Sequence, residues 1–483
     1  MESRIQYQAA YDTGPFRPLY FGMSNENEQQ ALFQRVLKNT PTICPLTMDR
    51  FIKFVKDNLH KFIPMRRVRP DDIDTYLRGS NASPQVKMGI KKAYEDLLDH
   101  GITSYSFLGH TLRRKFTVRK SFVKVENLTY RSLAGTKEKA PRLIQGANPK
   151  FIALVGPFFS RLQRHFKQHW NEKHFIYFTS GATSRKMGQF LEGYENWKKF
   201  ENDVSAFDSS ISIPLCELEV WIAKKFGAPR AVVQLMEENI NTRGFTMHGY
   251  KYRVKGTRKS GDPYTSLFNS VLNAMMHVFV YTTETGTLPD DVKYSMRMLV
   301  QGDDNLLLHR GDKCEWRQNF LRLGFDTESK YRKTLYDCEF CSSIIVDSAE
   351  GLVFVPKPGK LLAKFGYFIN PPINTHPHSL LRGVILGFDA LKAIRVYNSF
   401  FLGVSSWLTD VPLVKMKVLE HKFLLSHVHR NEKTDDFLYH RYGITPDMFP
   451  SLDAALKCGQ MDHPYVQLLM DRDTDHKSVI YCR

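Results

Sequence analysis

The chain has 483 residues, room for about three units of ~150 residues, and its 42% hydrophobic and 24% charged content excludes a globally disordered protein. Lys and Arg number 68 against 50 Asp and Glu, and the resulting charge of +18 points to a polyanionic partner. Seven cysteines in a chain this long do not suggest a disulfide scaffold, and a reducing compartment is the better reading.

Met1-Glu2-Ser3-Arg4 opens polar sequence, so no signal peptide is expected. No run of ~18 apolar residues follows, so no transmembrane helix is expected either. Residues 1–45 are polar with scattered aromatics and no clear period, and read as an extended arm. Leu46 to about His100 reads as helical, with Phe51, Phe54, Val55 and Leu59 at three- and four-residue spacing. Pro70-Asp71-Asp72 is a helix start within it. Phe116 to Lys124 alternates apolar and polar residues, as a strand does. Lys150 to Asn171 reads as a helix with Phe151, Leu154, Val155, Phe158, Phe159 and Leu162 on one face. A strand-like segment ends at Asp203, and a helix follows from Pro214 to Phe226. Asp337 to Val355 reads as β structure, and beyond Pro356 the chain turns mostly helical. There is no internal repeat and no low-complexity tract. Periodicity by itself gives a mixed α+β protein with a helical end.

Gly302-Asp303-Asp304 lies between the apolar runs Met298-Leu299-Val300 and Leu306-Leu307-Leu308. A Gly-Asp pair so placed predicts a tight hairpin, because glycine takes the positive φ such turns need. The tip would project two adjacent carboxylates, which repel each other unless a cation such as Mg²⁺ or Mn²⁺ lies between them. Alone, the tripeptide is equally an ordinary turn. Asp203 and Asp208 stand at the end of the earlier strand-like segment. Two-metal phosphoryl transfer requires carboxylates that converge from separate strands, and Asp203 and Asp303 are the candidates. Between them, the small polar loop Gly256 to Asn269 leads into a helix-like apolar stretch, Val271 to Tyr281. Such a loop can approach a nucleotide or a nucleic-acid backbone closely.

In this order the three segments closely resemble motifs A, B and C of the palm of viral RNA-dependent RNA polymerases. Asp203 and Asp208 meet Asp-x4-Asp, and Ser260, Gly261, Thr265 and Asn269 meet Ser-Gly-x3-Thr-x3-Asn. Gly302-Asp303-Asp304 completes the set. The wording Gly-x-Arg-x-Ser-Gly-Asp-Pro-x-Thr-Ser looks most like plus-strand viruses of the tombusvirus-like group and their relatives. The resemblance implies an α+β right-hand architecture with an antiparallel-sheet palm. An N-terminal arm would span 1–45, fingers 46–200 and 227–254, palm 201–226 and 255–355, and a mostly helical thumb 356–483. It also implies template-directed RNA synthesis, with NTPs joined to an RNA 3′-hydroxyl and pyrophosphate released. Two Mg²⁺ ions, or Mn²⁺ in their place, would be held by Asp203, Asp303, Asp304 and the Val204 carbonyl. Asp208, Ser260, Gly261, Thr265 and Asn269 would bind the nucleotide, with Asp208, Asn269 and Thr265 bonded to one another and to the ribose 2′-hydroxyl. A thumb of this length implies starts without a protein primer.

Three further segments resemble flanking motifs of the same family. Phe122 to Glu126 and Pro141 to Ile144 resemble the two halves of motif F, which implies triphosphate binding by Lys124 and Arg142 and RNA contacts by Lys137 and Lys139. Leu323 to Lys330 resembles motif D, in which a lysine protonates the leaving pyrophosphate. Lys330 is the candidate, with Arg332 and Lys333 close enough to compete. Glu339 to Ser343 resembles the primer-gripping motif E and implies an RNA contact at Cys341. Cys338, Cys341, His376 and His378 offer a zinc alternative, but a lone Cys-x2-Cys with a loose His-x-His makes burial within motif E the better reading. The implied partners are template and product RNA, NTPs, other viral replication proteins, and host membranes reached through those partners in the cytoplasm.

Two rival functions stay in view. Reverse transcriptases usually carry a bulky residue where this chain has Asp208. A non-catalytic RNA-binding protein would suit the charge and the 13% aromatic content, but gives no reason for four aspartates at these spacings in a basic chain.

Overall fold

A computed structural model describes residues 7–9, 19–128, 131–132, 140–371, 375–406, 408, 412, 424–474 and 478–479. At its centre is a five-stranded sheet in the order Thr327–Arg332, Lys198–Val204, Asp304–His309, Met296–Gln301, Ile176–Phe178. Neighbours run antiparallel except at the last edge, where Ile176–Phe178 lies parallel to Met296–Gln301. Side chains alternate across a strand, so one sheet builds two cores. Phe200, Met298, Val300 and Leu307 face a cluster shared with the helices Pro149–His169 and Thr265–Thr285. Leu299, Leu306 and Leu308 face the other way, onto Met187, Phe190, Ile345 and Phe354. Both faces are therefore covered, which explains the continuous apolar runs in these strands.

A second sheet orders Lys251–Lys255, Asn241–Thr246, Arg119–Val123 and Leu143–Gly146. Glu339–Phe340, Ser343–Ser348 and Gly351–Pro356 form a three-stranded meander. The meander shares a separate hydrophobic cluster with the helices that follow it, among them Arg395–Ser405, Phe449–Lys457 and Pro464–Asp473. None of the described helices is long and apolar enough to cross a membrane.

The expected helices and strands from Leu46 onward recur with ends shifted by a few residues. The helix expected over Lys150 to Asn171 spans Pro149–His169, with Asn148 as its cap, accepting from the Lys150 N–H at 2.9 Å. Two expectations need correction. The start of the strand expected from Phe116 is the end of a helix, His110–Phe116, and the strand is Arg119–Val123. Within the segment read as an extended arm, Asn25–Ala31 is a helix that continues through Leu32–Val36. Ser24 caps it by accepting from the Asn27 N–H at 3.2 Å. Its buried residues Ala31, Leu32 and Val36 meet Val123, Leu143 and Tyr252. The helix also buries Glu28, which accepts from the N–H groups of Met247 and His248, both at 2.9 Å. A carboxylate on the buried face breaks the apolar period that would have marked the helix.

Candidate active site

The hairpin pairs Met296 with His309 through to Gln301 with Asp304, leaving Gly302-Asp303 as a two-residue turn. Gly302 has φ +64°, the left-handed conformation that a tight hairpin needs at its first central position. Alongside, Phe200 of Lys198–Val204 lies opposite Leu307. Toward the turn, the Asn305 side chain takes over from the ladder. Its Oδ1 accepts from the Asn202 N–H at 3.3 Å, and its Nδ2 donates to the Asn202 carbonyl at 2.8 Å. One residue further in this register, Asp203 falls across from Asp304, beyond the last backbone-paired residues of the two strands. Asp203 and Asp303 are exposed, Asp304 is half-buried, and Val204 is buried at the end of its strand. Three carboxylates thus gather at one end of the central sheet.

The helix Thr265–Thr285 holds the turn from behind. Ser270 Oγ accepts from the Gly302 N–H at 2.7 Å. Asn273 Nδ2 donates to the carbonyls of Gly302 and Asp303 at 3.0 and 2.9 Å. Sequence reasoning missed both residues, because it read this stretch as apolar. The signal was present: Asn269, Asn273 and His277 recur every fourth position and are all buried, a polar stripe inside an apolar helix.

Asp208 sits in the short turn Phe207–Ser210, entered through Ala206 at φ +56°. Buried Asn269 donates from Nδ2 to Asp208 Oδ1 at 2.8 Å. Burial pushes the Asp208 carboxyl up, and the Asn269 bond and the charges on Arg258 and Arg142 pull back against it without restoring its ordinary value. Thr265 is turned elsewhere: its hydroxyl donates to the Lys259 carbonyl at 2.7 Å. Of the three residues expected to bond one another, the structure therefore joins Asp208 and Asn269. Ser260 Oγ accepts from the Gln145 N–H at 3.2 Å. A Cβ on Gly261 would stand 2.3 Å from the Gln145 carbonyl oxygen, so only glycine lets this loop press against the strand Leu143–Gly146.

The same strand brings in the basic residues. The Lys124 N–H donates to the Arg142 carbonyl at 2.8 Å. Glu126 lies between their side chains, 2.8 Å from Lys124 Nζ and 3.4 Å from Arg142. Burial pushes the Glu126 carboxyl up, but its bond to Lys124 and the two positive charges outweigh that and hold it below the ordinary carboxylate range. Lys137 and Lys139 lie outside the described residues. Lys330 is on the strand paired with that of Asp203, with Glu328 opposite Asp203 and Lys330 opposite Glu201. Its Nζ is 2.8 Å from Glu328. Arg332 is engaged by Glu201, to which Nε and one Nη donate at 3.0 and 2.7 Å, and Lys333 lies past the strand end. Cys341 and Ser342, at φ +50° and +59°, form the turn between Glu339–Phe340 and Ser343–Ser348. The buried Cys341 thiol donates to Asp304 Oδ2 at 3.6 Å, whereas Cys338 donates to the Thr334 carbonyl at 3.5 Å. The two thiols thus engage different partners.

Mg²⁺ is commonly held by one or two carboxylates, with substrate phosphates and water completing its shell. Exposed Asp203 and Asp303, with Asp304 beside them, supply such an all-oxygen set. Among the described residues no group of three or more His, Cys, Asp or Glu is drawn together closely enough to hold a metal ion by itself, so substrate phosphates and water would have to complete the shell.

Residues 110–376, more than half of the chain, match the protein family described as RNA dependent RNA polymerase. The RNA-directed RNA polymerase of Tobacco necrosis virus (strain A) is 24% identical over 361 residues, covering 69% of this chain and 48% of the relative. That of Pothos latent virus (isolate Pigeonpea/India) is 28% identical over 269 residues, covering 52% of this chain and 34% of the relative. That of Turnip crinkle virus is 26% identical over 275 residues, covering 53% and 33%. The chain thus spans between a third and a half of the length of these curated relatives.

Proposed function

The chain belongs to the RNA-dependent RNA polymerase family, and from that premise we propose that it copies an RNA template for a plus-strand RNA virus. The reaction joins an NTP to an RNA 3′-hydroxyl and releases pyrophosphate. The observation that carries this reading is the register that sets Asp203 across from Asp304, with Asp303 at the adjoining turn.

Asp203, Asp303, Asp304 and the Val204 carbonyl would hold two Mg²⁺ or Mn²⁺ ions, which lower the pKa of the attacking hydroxyl and steady the triphosphate. Lys124 and Arg142 neutralise the triphosphate, and Lys137 and Lys139 contact RNA. Asp208 and Asn269 read the 2′-hydroxyl, with Ser260, Gly261 and Thr265 shaping the loop beside them. Lys330, on the strand beside that of Asp203, gives its proton to the departing pyrophosphate on release from Glu328, with Arg332 held by Glu201 and Lys333 past the strand end. Cys341 lies at the hairpin that grips the primer strand. In this reading residues 46–200 and 227–254 are fingers, 201–226 and 255–355 palm, and 356–483 thumb. The thumb supports starts without a protein primer, and other replication proteins hold the enzyme at cytoplasmic membranes. The bond between Asp208 and Asn269 favours ribonucleotides over the deoxynucleotides of a reverse transcriptase.

The test is incorporation of all four NTPs on primed and unprimed RNA, with and without Mg²⁺, and with dNTPs as a control. Metal-dependent, template-directed extension is expected on both templates. RNA binding without extension on either template, in Mg²⁺ or in Mn²⁺, would leave a non-catalytic RNA-binding protein. Extension confined to primed templates would overturn primer-independent initiation.

A further inference from the structure

Asp208 and Asn269 are themselves held by two residues set behind them. Arg258 donates from Nε to Asn269 Oδ1 at 2.9 Å. The backbone N–H of the same residue donates to the Asp208 carbonyl at 2.7 Å. Its Nη atoms donate to both carboxylate oxygens of Glu219, one of them at 2.8 Å. Arg258 is 3% exposed and Glu219 2%. Glu219 comes from the helix Ile213–Lys225, outside the loops that carry the sugar-facing pair. Thr257, just before Arg258, has φ +57°, a costly conformation for a β-branched residue, and is held there by its N–H bond to the Ile211 carbonyl at 2.6 Å.

A side-chain amide has two orientations, related by a flip that exchanges its oxygen and nitrogen. In the observed one, the Asn269 oxygen meets a guanidinium donor and its NH₂ meets a carboxylate acceptor. The flipped amide would turn its NH₂ toward the Arg258 guanidinium and its oxygen toward Asp208, and both bonds would be lost. Arg258 and Asp208 thus lock the amide from its two ends. With Oδ1 engaged by Asn269, Oδ2 is the acceptor that Asp208 can offer a sugar hydroxyl. A buried ion pair contributes little net stability over an apolar pair of similar bulk, because both charges must be desolvated. The Arg258–Glu219 pair therefore calls for a role other than stability, and its geometry supplies one.

We propose that Glu219 and Arg258 are positioning residues for sugar selection: Glu219 aims the Arg258 guanidinium, which fixes the Asn269 amide and, through it, Asp208. The proposal rests on the polymerase reading above. It assigns to a helix residue with no place in any motif a share of the discrimination between ribose and deoxyribose.

The experiment measures kcat/KM for each NTP and its 2′-deoxy counterpart on primed RNA, together with the melting temperature. It compares wild type, Arg258→Lys, and the double variant Glu219→Leu, Arg258→Met. A lysine ammonium cannot engage both Glu219 oxygens and also donate to Asn269 in a planar fork. The double variant exchanges the ion pair for an apolar one, a change that folded proteins tolerate. Each folded variant is expected to incorporate NTPs and to lose roughly tenfold or more of its ribose preference. A merely structural role lowers the rates with NTPs and dNTPs in proportion. A folded variant with the wild-type ratio therefore overturns the proposal, and the double variant decides if Arg258→Lys does not fold. Failure of the wild-type protein to use NTPs at all is a different result, and removes the polymerase reading itself.

Discussion

Asn269 joins two charged neighbours, accepting from Arg258 and donating to Asp208. A site built to bond the ribose hydroxyl leaves buried polar groups unpaired when that hydroxyl is missing, which is the physical source of strong discrimination. Asn269→Ala is therefore expected to lower the NTP-to-dNTP ratio of kcat/KM by roughly 10- to 100-fold. An unchanged ratio in a folded, active variant would reduce Asn269 to a packing residue of its helix. His277 carries a second prediction. Burial pushes its imidazole down from the ordinary 6.5 to about 4. One ring nitrogen bonds the Asn273 carbonyl at 2.8 Å, and Nε2 is buried with no hydrogen-bond partner. The unfolded chain therefore binds the proton first. The stability tied to neutral His277 is complete above pH 6.5 and lost as the pH falls toward 4, by on the order of 3 kcal/mol. Urea titrations of wild type and His277→Leu between pH 7 and pH 4.5 check this: the variant should lose less stability on acidification, and parallel curves would contradict it.

The Gly302-Asp303 hairpin was legible because its signal is local: a glycine, an acidic residue and two apolar runs. Asp208, Ser260, Gly261, Thr265 and Asn269 were legible because their spacing is a motif. The residues that hold them were not. Asn305 acts across a strand gap, Ser270 and Asn273 act from a helix onto a turn, and Glu219 reaches Arg258 from a different helix. Each contact joins elements whose adjacency only the fold creates. The same holds for Glu339, which joins the meander to the C-terminal helices through Lys357 and Arg441, while Arg441 also meets Asp473 at 3.0 Å. Burial pushes the Glu339 carboxyl up, but Lys357 and Arg441 outweigh it and hold it at about 2. Its contribution is present above the ordinary 4.5 and lost as the pH falls toward 2. Glu339→Gln leaves buried Arg441 short of one counter-charge and is expected to cost on the order of 3 kcal/mol at pH 7, shrinking below pH 4. Chemical denaturation at the two pH values reads this out, and a cost that does not change with pH would contradict the ion-pair account.

Composition alone announced a polyanionic partner, and the +18 charge sets how binding should respond to salt. RNA displaces counterions when lysines and arginines neutralise its phosphates, so log affinity should fall linearly and steeply with log salt. A flat plot would argue against a basic RNA channel. Composition could not reveal where the strand Tyr7–Ala9 is tied in: it pairs with Tyr367–Ile369, a contact that no local pattern encodes. Nor could periodicity give the central sheet, whose strands come from widely separated segments and whose neighbouring middle strands carry Asp203 and Asp304.

Metal-dependent nucleotidyl transfer by these carboxylates is read out by single-turnover extension of a primed RNA by Asp203→Ala and Asp303→Ala. Both side chains are exposed at the sheet end, so their removal should leave the fold and the RNA affinity close to wild type. Extension in Mg²⁺ should fall by roughly a thousandfold or more in each variant, because an oxygen ligand for the ions is gone. Near-wild-type extension by either variant, with RNA binding intact, would mean that these carboxylates do not carry the metal ions of the reaction.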